Sequence, residues 1–231
     1  MRKSEPTKFV SDRKMKAVLF DLDGTLTDPA LGITNSILYA LEHYGIRGVE
    51  RESLYSFIGP PLKDSFRERF RFSEEKSLEA VKRFQEYFSR QGIFENRVYD
   101  GVVPLLERLR SQGRSLVLAT SKPEEFALRI LEHYRLLPYF TAVCGGSMDE
   151  ITRTTKEEVI RYALEKTQLS GKDCVMVGDR KYDMEGGRAL GCATLGVLYG
   201  YGTREELLSA GADCLAETVR ECEEKLYQWE K

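Results

Sequence analysis

The feature that most limits what this chain can fold into is a short unbroken apolar run, Ala17-Val18-Leu19-Phe20, that stops abruptly at Asp21-Leu22-Asp23. A strand with one wet face alternates polar and apolar residues. A continuous run is what a strand buried on both faces requires, and such strands belong to parallel sheets covered by helices. The format recurs at residues 115–119, 142–144, 174–177 and 193–197. Amphipathic helical stretches separate these runs at 102–112, 124–134, 156–168, 183–190, 204–210 and 218–228, with Gly113, Gly191 and Gly211 placed where left-handed helix caps favour glycine.

This alternation predicts an α/β fold, a doubly wound (Rossmann-like) parallel sheet. Between Pro29 and Asn96 the strand format disappears and helical patterns take over near 32–44, 53–57, 62–70 and 74–91. We therefore expect a catalytic core formed by residues 15–28 and 97–231, with an inserted α-helical cap domain at 29–96. An insert after the first strand leaves from the carboxyl end of the sheet, where open α/β sheets bind ligands. Residues 1–14 are polar, precede a second methionine and are expected to be a flexible extension.

Several function classes are disfavoured at once. With a formal charge of −2 over 231 residues and both signs interspersed, no basic footprint for a nucleic acid is visible. No apolar run approaches the ~20 residues that span a bilayer, so no membrane association and a cytoplasmic location are expected. The five cysteines form no C-x-x-C pair, which fits small buried hydrophobes in a reducing compartment better than disulfides or metal ligands. His43 and His133 have no ligand spacing around them and read as structural or surface residues. No protein partner is predicted.

The chemical signal is acidic. Asp21 and Asp23 end the first strand, and Asp179 ends the run 174–177, with Asp183 one helical turn later. Asp-Gly alone is ordinary turn chemistry, but a turn does not explain acidic residues at two strand ends. If the strands lie side by side, these carboxylates meet, and like charges held close need a cation or protons between them. An oxygen-only donor set without His or Cys suits Mg²⁺, and the same positive charge would hold a phosphate.

With FDLDGT at 20–25, Thr120 in VLATSKP, Lys156 in TRTTKEEVI and VGDRKYD at 177–183, the sequence resembles hydrolases of the haloacid dehalogenase superfamily, particularly the phosphoglycolate-phosphatase-like group with a helical cap. The resemblance runs from Met15 to about Ala216. It implies a phosphatase acting on a small phosphorylated substrate, with Asp21 as nucleophile, Asp23 as acid/base, Thr120 and Lys156 completing the catalytic set, and Mg²⁺ held by Asp21, Asp23 (through its backbone carbonyl), Asp179 and Asp183. Arg180 and Lys181 stand where many relatives carry small polar residues.

Local patterns agree with parts of this set. Ser121 and Glu124 form a capping-box pattern with Pro123 in the first turn, which would aim backbone donors of a helix start, including the amide of Ser121, at phosphate oxygens. Thr155 and Glu158 form a second such pattern, so Lys156 opens a helix and needs an anionic partner there. Lys122 receives no role. Gly59 and Pro60, in the stiff run Ser56-Phe57-Ile58-Gly59-Pro60-Pro61-Leu62, resemble the cap segment that meets substrate in relatives, and Gly145-Gly146-Ser147-Met148-Asp149 looks like a subgroup associated with nucleoside monophosphates. The substrate stays open among 2-phosphoglycolate, nucleoside 5'-monophosphates and pyrophosphate.

Two other readings use the same residues, a phosphomutase and a non-enzymatic phosphate-binding regulatory module. A dehalogenase needs no leaving-group acid, and a P-loop kinase or ATPase needs a G-x-x-x-x-G-K-[ST] pattern that this chain lacks.

Overall fold

The structure, a computed structural model, describes residues 15–148 and 152–229. The expected flexible extension at 1–14 lies outside them. Along the chain run β1 (Ala17–Phe20), β2 (Thr27–Asp28), α1 (Ala30–His43), α2 (Leu62–Phe70), α3 (Glu74–Phe88), β3 (Arg97–Val98), α4 (Val102–Ser111), β4 (Ser115–Pro123), α5 (Glu124–His133), β5 (Ala142–Gly146), α6 (Lys156–Thr167), β6 (Cys174–Gly178), α7 (Lys181–Ala189), β7 (Ala193–Val197), α8 (Arg204–Ser209), β8 (Cys214–Ala216) and α9 (Val219–Gln228). Contacts divide the chain into one unit of Met1–Leu26 with Tyr99–Lys231 and a second unit of Thr27–Val98.

The first unit is built on a six-stranded parallel sheet in the order β5-β4-β1-β6-β7-β8. All four residues of β1 are buried, as a strand covered on both faces must be. One face is formed by Ala17, Leu19, Val117, Ala119, Cys144, Cys174 and Met176, which pack against Val159, Ile160 and Ala163 of α6. The alternate residues Val18, Phe20, Leu116, Leu118, Val175 and Val177 are buried as well, so the sheet is doubly wound as expected. The order places β1 between β4 and β6. Chain connections diverge on either side of it, and the loops at its carboxyl end form the crevice where this topology gathers ligand-binding residues.

One expectation on local structure needs correction. The segment Ser121-Lys122-Pro123 continues β4 through an irregularity in its pairing with β5, and α5 begins at Glu124, the expected first residue of that helix, but with no side-chain cap. Glu124 accepts from the Gly145 backbone N–H at 3.1 Å. The Ser121 capping box is therefore absent: strand pairing occupies residues 121–123, and the carboxylate that would have closed the box ties α5 to β5. In contrast, β8 was not legible as a strand at all, because Cys214-Leu215-Ala216 is too short to show a period.

The second unit holds α1, α2 and α3 with a 3-10 turn at Arg51–Phe57. Its two ends are joined by the antiparallel pair β2–β3, which carries the unit two residues beyond 29 and 96 at either side. Phe57, Phe66, Phe70 and Phe72 stack into an aromatic core, with Phe66 and Phe72 parallel at 6.1 Å. Ser73 caps α3 by accepting from the Lys76 N–H. Gly32 and Gly92 let α1 and the 92–94 turn approach so closely that a methyl on either would strike backbone. No helix among the described residues is long and apolar enough to cross a membrane.

Candidate active site

The sheet order brings three strand ends together. Asp21 extends the ladder by donating its N–H to the Val177 carbonyl at 2.9 Å, so its side chain starts from a fixed backbone. Asp179 follows β6 and Asp183 lies in the first turn of α7, where its Oδ2 accepts from the Arg180 backbone N–H at 3.0 Å. Asp21, Asp179 and Asp183 are all buried, and each offers a carboxylate oxygen within 4.8 Å of the others.

Lys156 faces this triad from the start of α6. The Thr155–Glu158 capping box forms as expected and fixes the helix entry. The lysine Nζ donates to Asp21 Oδ1 at 2.7 Å and to the Ala119 carbonyl at 3.0 Å, and it pairs with Asp183 Oδ1 at 2.7 Å. Burial alone would pull its proton affinity down. The Asp183 and Asp21 carboxylates outweigh that effect and raise it, so Lys156 stays an ammonium.

One ammonium does not balance three carboxylates. Burial first, then Asp183 and Asp21, push the Asp179 carboxyl well above its usual range. Burial likewise lifts Asp183 to about 6, with Lys156 opposing and Asp21 adding to the rise. Asp179 Oδ1 is a buried acceptor with no hydrogen-bond partner among the described residues, while Oδ2 accepts from the Tyr201 N–H at 2.8 Å. A free carboxylate oxygen, an all-oxygen donor set and surplus negative charge are the properties of a site for a hard divalent cation.

Asp23 stands apart from the triad. Its Oδ2 pairs with the Lys122 ammonium at 2.8 Å, and its Oδ1 is buried without a hydrogen-bond partner among the described residues. Burial raises its proton affinity, Lys122 draws it back, and Asp21 adds to the rise. Thr120, 1% exposed, follows Ala119, whose carbonyl holds Lys156, and its hydroxyl accepts from the Lys122 N–H at 3.3 Å. Ser121 lies next to it on the strand instead of at a helix start. Gly59 and Pro60 belong to the second unit, between the 51–57 turn and α2, with Gly59 at a φ of 105°. Arg180 points its Nε at Glu206 of α8 at 3.0 Å.

Sequence reasoning overlooked the segment after β7. Tyr199 donates its hydroxyl to the Thr25 carbonyl at 3.1 Å, the Tyr201 amide holds Asp179, and Gly200 lies so close to Asp179 and to the Gly24 carbonyl that any Cβ there would clash. Gly202 is pressed in the same way against the Asp179 carbonyl. The signal available was the repeated glycine in Leu198-Tyr199-Gly200-Tyr201-Gly202, which marks a close backbone approach. Lys122 was the other omission, since nothing local distinguishes it from a surface lysine.

Comparison with known proteins agrees with this architecture. A curated relative, a 5'-nucleotidase of Pseudomonas aeruginosa, is 45% identical over 190 residues, 82% of this chain and 86% of that one. The tyrosine-protein kinase PtkA of Mycobacterium tuberculosis is 39% identical over 185 residues, 80% of this chain but 62% of that longer protein. A crystal structure from Clostridium acetobutylicum, described as a predicted phosphatase, superposes with a TM-score of 0.90 at 46% identity, covering 93% of this chain and 99% of that one. The family model for haloacid dehalogenase-like hydrolases matches residues 18–197, a span that holds Asp21, Asp23, Thr120, Lys156, Asp179 and Asp183, and the chain belongs to that family.

Proposed function

We propose that this chain is a Mg²⁺-dependent phosphomonoesterase that works through a covalent phosphate on Asp21. The observation that carries the reading is the double engagement of Asp21: its carboxylate belongs to the acidic triad and also accepts from Lys156. A nucleophilic carboxylate must approach a phosphoryl group that is itself anionic, and positive charge on both sides of the meeting point removes that repulsion. Asp21, Asp179 and Asp183, with the backbone carbonyl of Asp23, would hold Mg²⁺. Bound there, the cation neutralises charge on the carboxylates and the phosphoryl oxygens.

In this reading an Asp21 oxygen attacks phosphorus and gives an acyl phosphate, which water then opens, so that one difficult displacement becomes two easier ones. Asp23 protonates the departing ester oxygen and later takes a proton from the attacking water. Its buried, upshifted carboxyl supports the first role, because an ordinary carboxyl is fully ionised near neutrality. The Thr120 hydroxyl and the Ser121 amide receive phosphoryl oxygens, and the Lys156 ammonium fixes Asp21. Gly59 and Pro60 take the substrate-selecting role that the family resemblance implies. The five free thiols support a reducing, cytoplasmic setting.

The 45% relative favours nucleoside 5'-monophosphates as the substrate class; 2-phosphoglycolate, supported by a 28% identical relative named phosphoglycolate phosphatase, and pyrophosphate, implied by the family resemblance alone, come next. The test is a panel of these three with Mg²⁺, scored as kcat/KM for phosphate release. A second reading, transfer of the phosphoryl group from Asp21 to another hydroxyl, uses the same groups and draws support from the relative named a kinase. The panel separates the two: hydrolysis releases inorganic phosphate in step with substrate loss, whereas transfer conserves ester phosphate.

A further inference from the structure

The Lys122 side chain is only 6% exposed and its ammonium lies 2.8 Å from Asp23 Oδ2. Lysine is rarely this buried without a partner that offsets its lost hydration. It is also pinned through its backbone, whose N–H donates to the Thr120 hydroxyl. Asp23 Oδ1, by contrast, is buried and unpartnered among the described residues. Two lysines thus divide the carboxylates between them. Lys156 serves Asp21 and Asp183, whereas Lys122 serves Asp23.

We propose that Lys122 is a positioning residue for Asp23: by fastening Oδ2, it makes Oδ1 the single oxygen that exchanges a proton with the leaving group. This rests on the phosphatase reading above. In the step concerned, an Asp21 oxygen bonds to phosphorus and the bond from phosphorus to the ester oxygen breaks. The ester oxygen keeps the bonding pair and takes the proton carried on Asp23 Oδ1, which yields the alcohol, the acyl phosphate and an Asp23 carboxylate. The final torsion of an aspartate is broad, so an untethered carboxyl presents its proton in unproductive directions. Lys122 donates to Oδ2 in both protonation states, because that oxygen stays an acceptor when Oδ1 is protonated.

The test compares leaving groups. A nucleoside 5'-monophosphate expels an alkoxide and needs the proton, whereas p-nitrophenyl phosphate expels a stable phenolate and does not. In both cases kcat/KM reads the first irreversible step, formation of the acyl phosphate. Lys122→Met should lower kcat/KM for the nucleotide by about 100-fold and for the aryl ester by less than about fivefold. The ratio is taken within one preparation, so any reduced fraction of folded enzyme cancels. Lys122→Arg, which keeps a donor, should recover at least about tenfold of the nucleotide loss. Equal losses on both esters, or no loss on the nucleotide, would overturn the proposal. A wild-type protein inactive on both esters would instead bring down the phosphatase reading on which it stands.

Discussion

The Lys156 ammonium stands 2.7 Å from the Asp21 carboxylate across 135 positions of sequence, and the same ammonium reaches Asp183 at 2.7 Å. It is the only cation that the described ion pairs give to the acidic triad, so the charge balance of the site depends on it.

Replacing that ammonium should therefore expose the repulsion. Lys156→Met keeps the length of the stem and removes the charge, leaving buried carboxylates without their partner. Taking one member from a buried pair costs about 3–5 kcal/mol. Urea unfolding in chelator should show a loss of that order, and Mg²⁺ should restore part of it. An unchanged midpoint in chelator would mean that the pair carries no stabilising charge.

The pH dependence of the chelated protein has a definite sign. The Asp183 carboxyl rises from an ordinary 3.8 to about 6 in the fold, and Asp23 and Asp179 shift the same way. Between these values the native state keeps protons that the unfolded chain releases. Stability is thus fully present below 3.8 and falls as pH rises through about 6. On the proposed reading, saturating Mg²⁺ should stabilise the ionised triad and flatten that fall. Urea midpoints measured across this window with and without Mg²⁺ check it, and a chelated protein that gains stability on going from acid to neutral pH would contradict it.

Gly200 tests the segment that sequence reasoning passed over. A Cβ there meets Asp179 and the Gly24 carbonyl, and neither can retreat without moving the triad or the Asp21–Thr25 loop. Gly200→Ala should cost about 1–3 kcal/mol by overpacking. It should also weaken Mg²⁺ binding in a calorimetric titration, because Asp179 is displaced from the Tyr201 amide. Wild-type Mg²⁺ affinity in a folded Gly200→Ala protein would show that the contact does not hold Asp179.

What could be read from the chain follows from the range of each interaction. The β1 run and its four later copies are local patterns, and a strand covered on both faces has no other way to be written, so the doubly wound core was legible. The places of Asp21 and Asp179 at strand ends and of Lys156 at a helix start were legible, because strand ends and a capping box announce themselves within a few residues, while the roles given to them came from the family resemblance. The pairing of Lys122 with Asp23 was not, since it depends on β4 lying beside β1, and neighbouring strands leave no local trace of their order. The Ser121 cap failed for a related reason. Local capping preference competed with pairing to β5, and the sheet won. The ribbon of β2 and β3 is two residues on each side, below the length at which a period exists.

The covalent route through Asp21 is tested most directly by the stereochemical course at phosphorus, using a phosphorothioate ester made chiral with the two heavy oxygen isotopes and hydrolysed in ordinary water, so that the released thiophosphate is itself chiral. Transfer to the Asp21 carboxylate and then to water is two in-line displacements, so the account predicts retention of configuration, and Asp21→Asn should lose turnover by at least about 10³-fold. Inversion at phosphorus, the mark of a single direct attack by water, would contradict it.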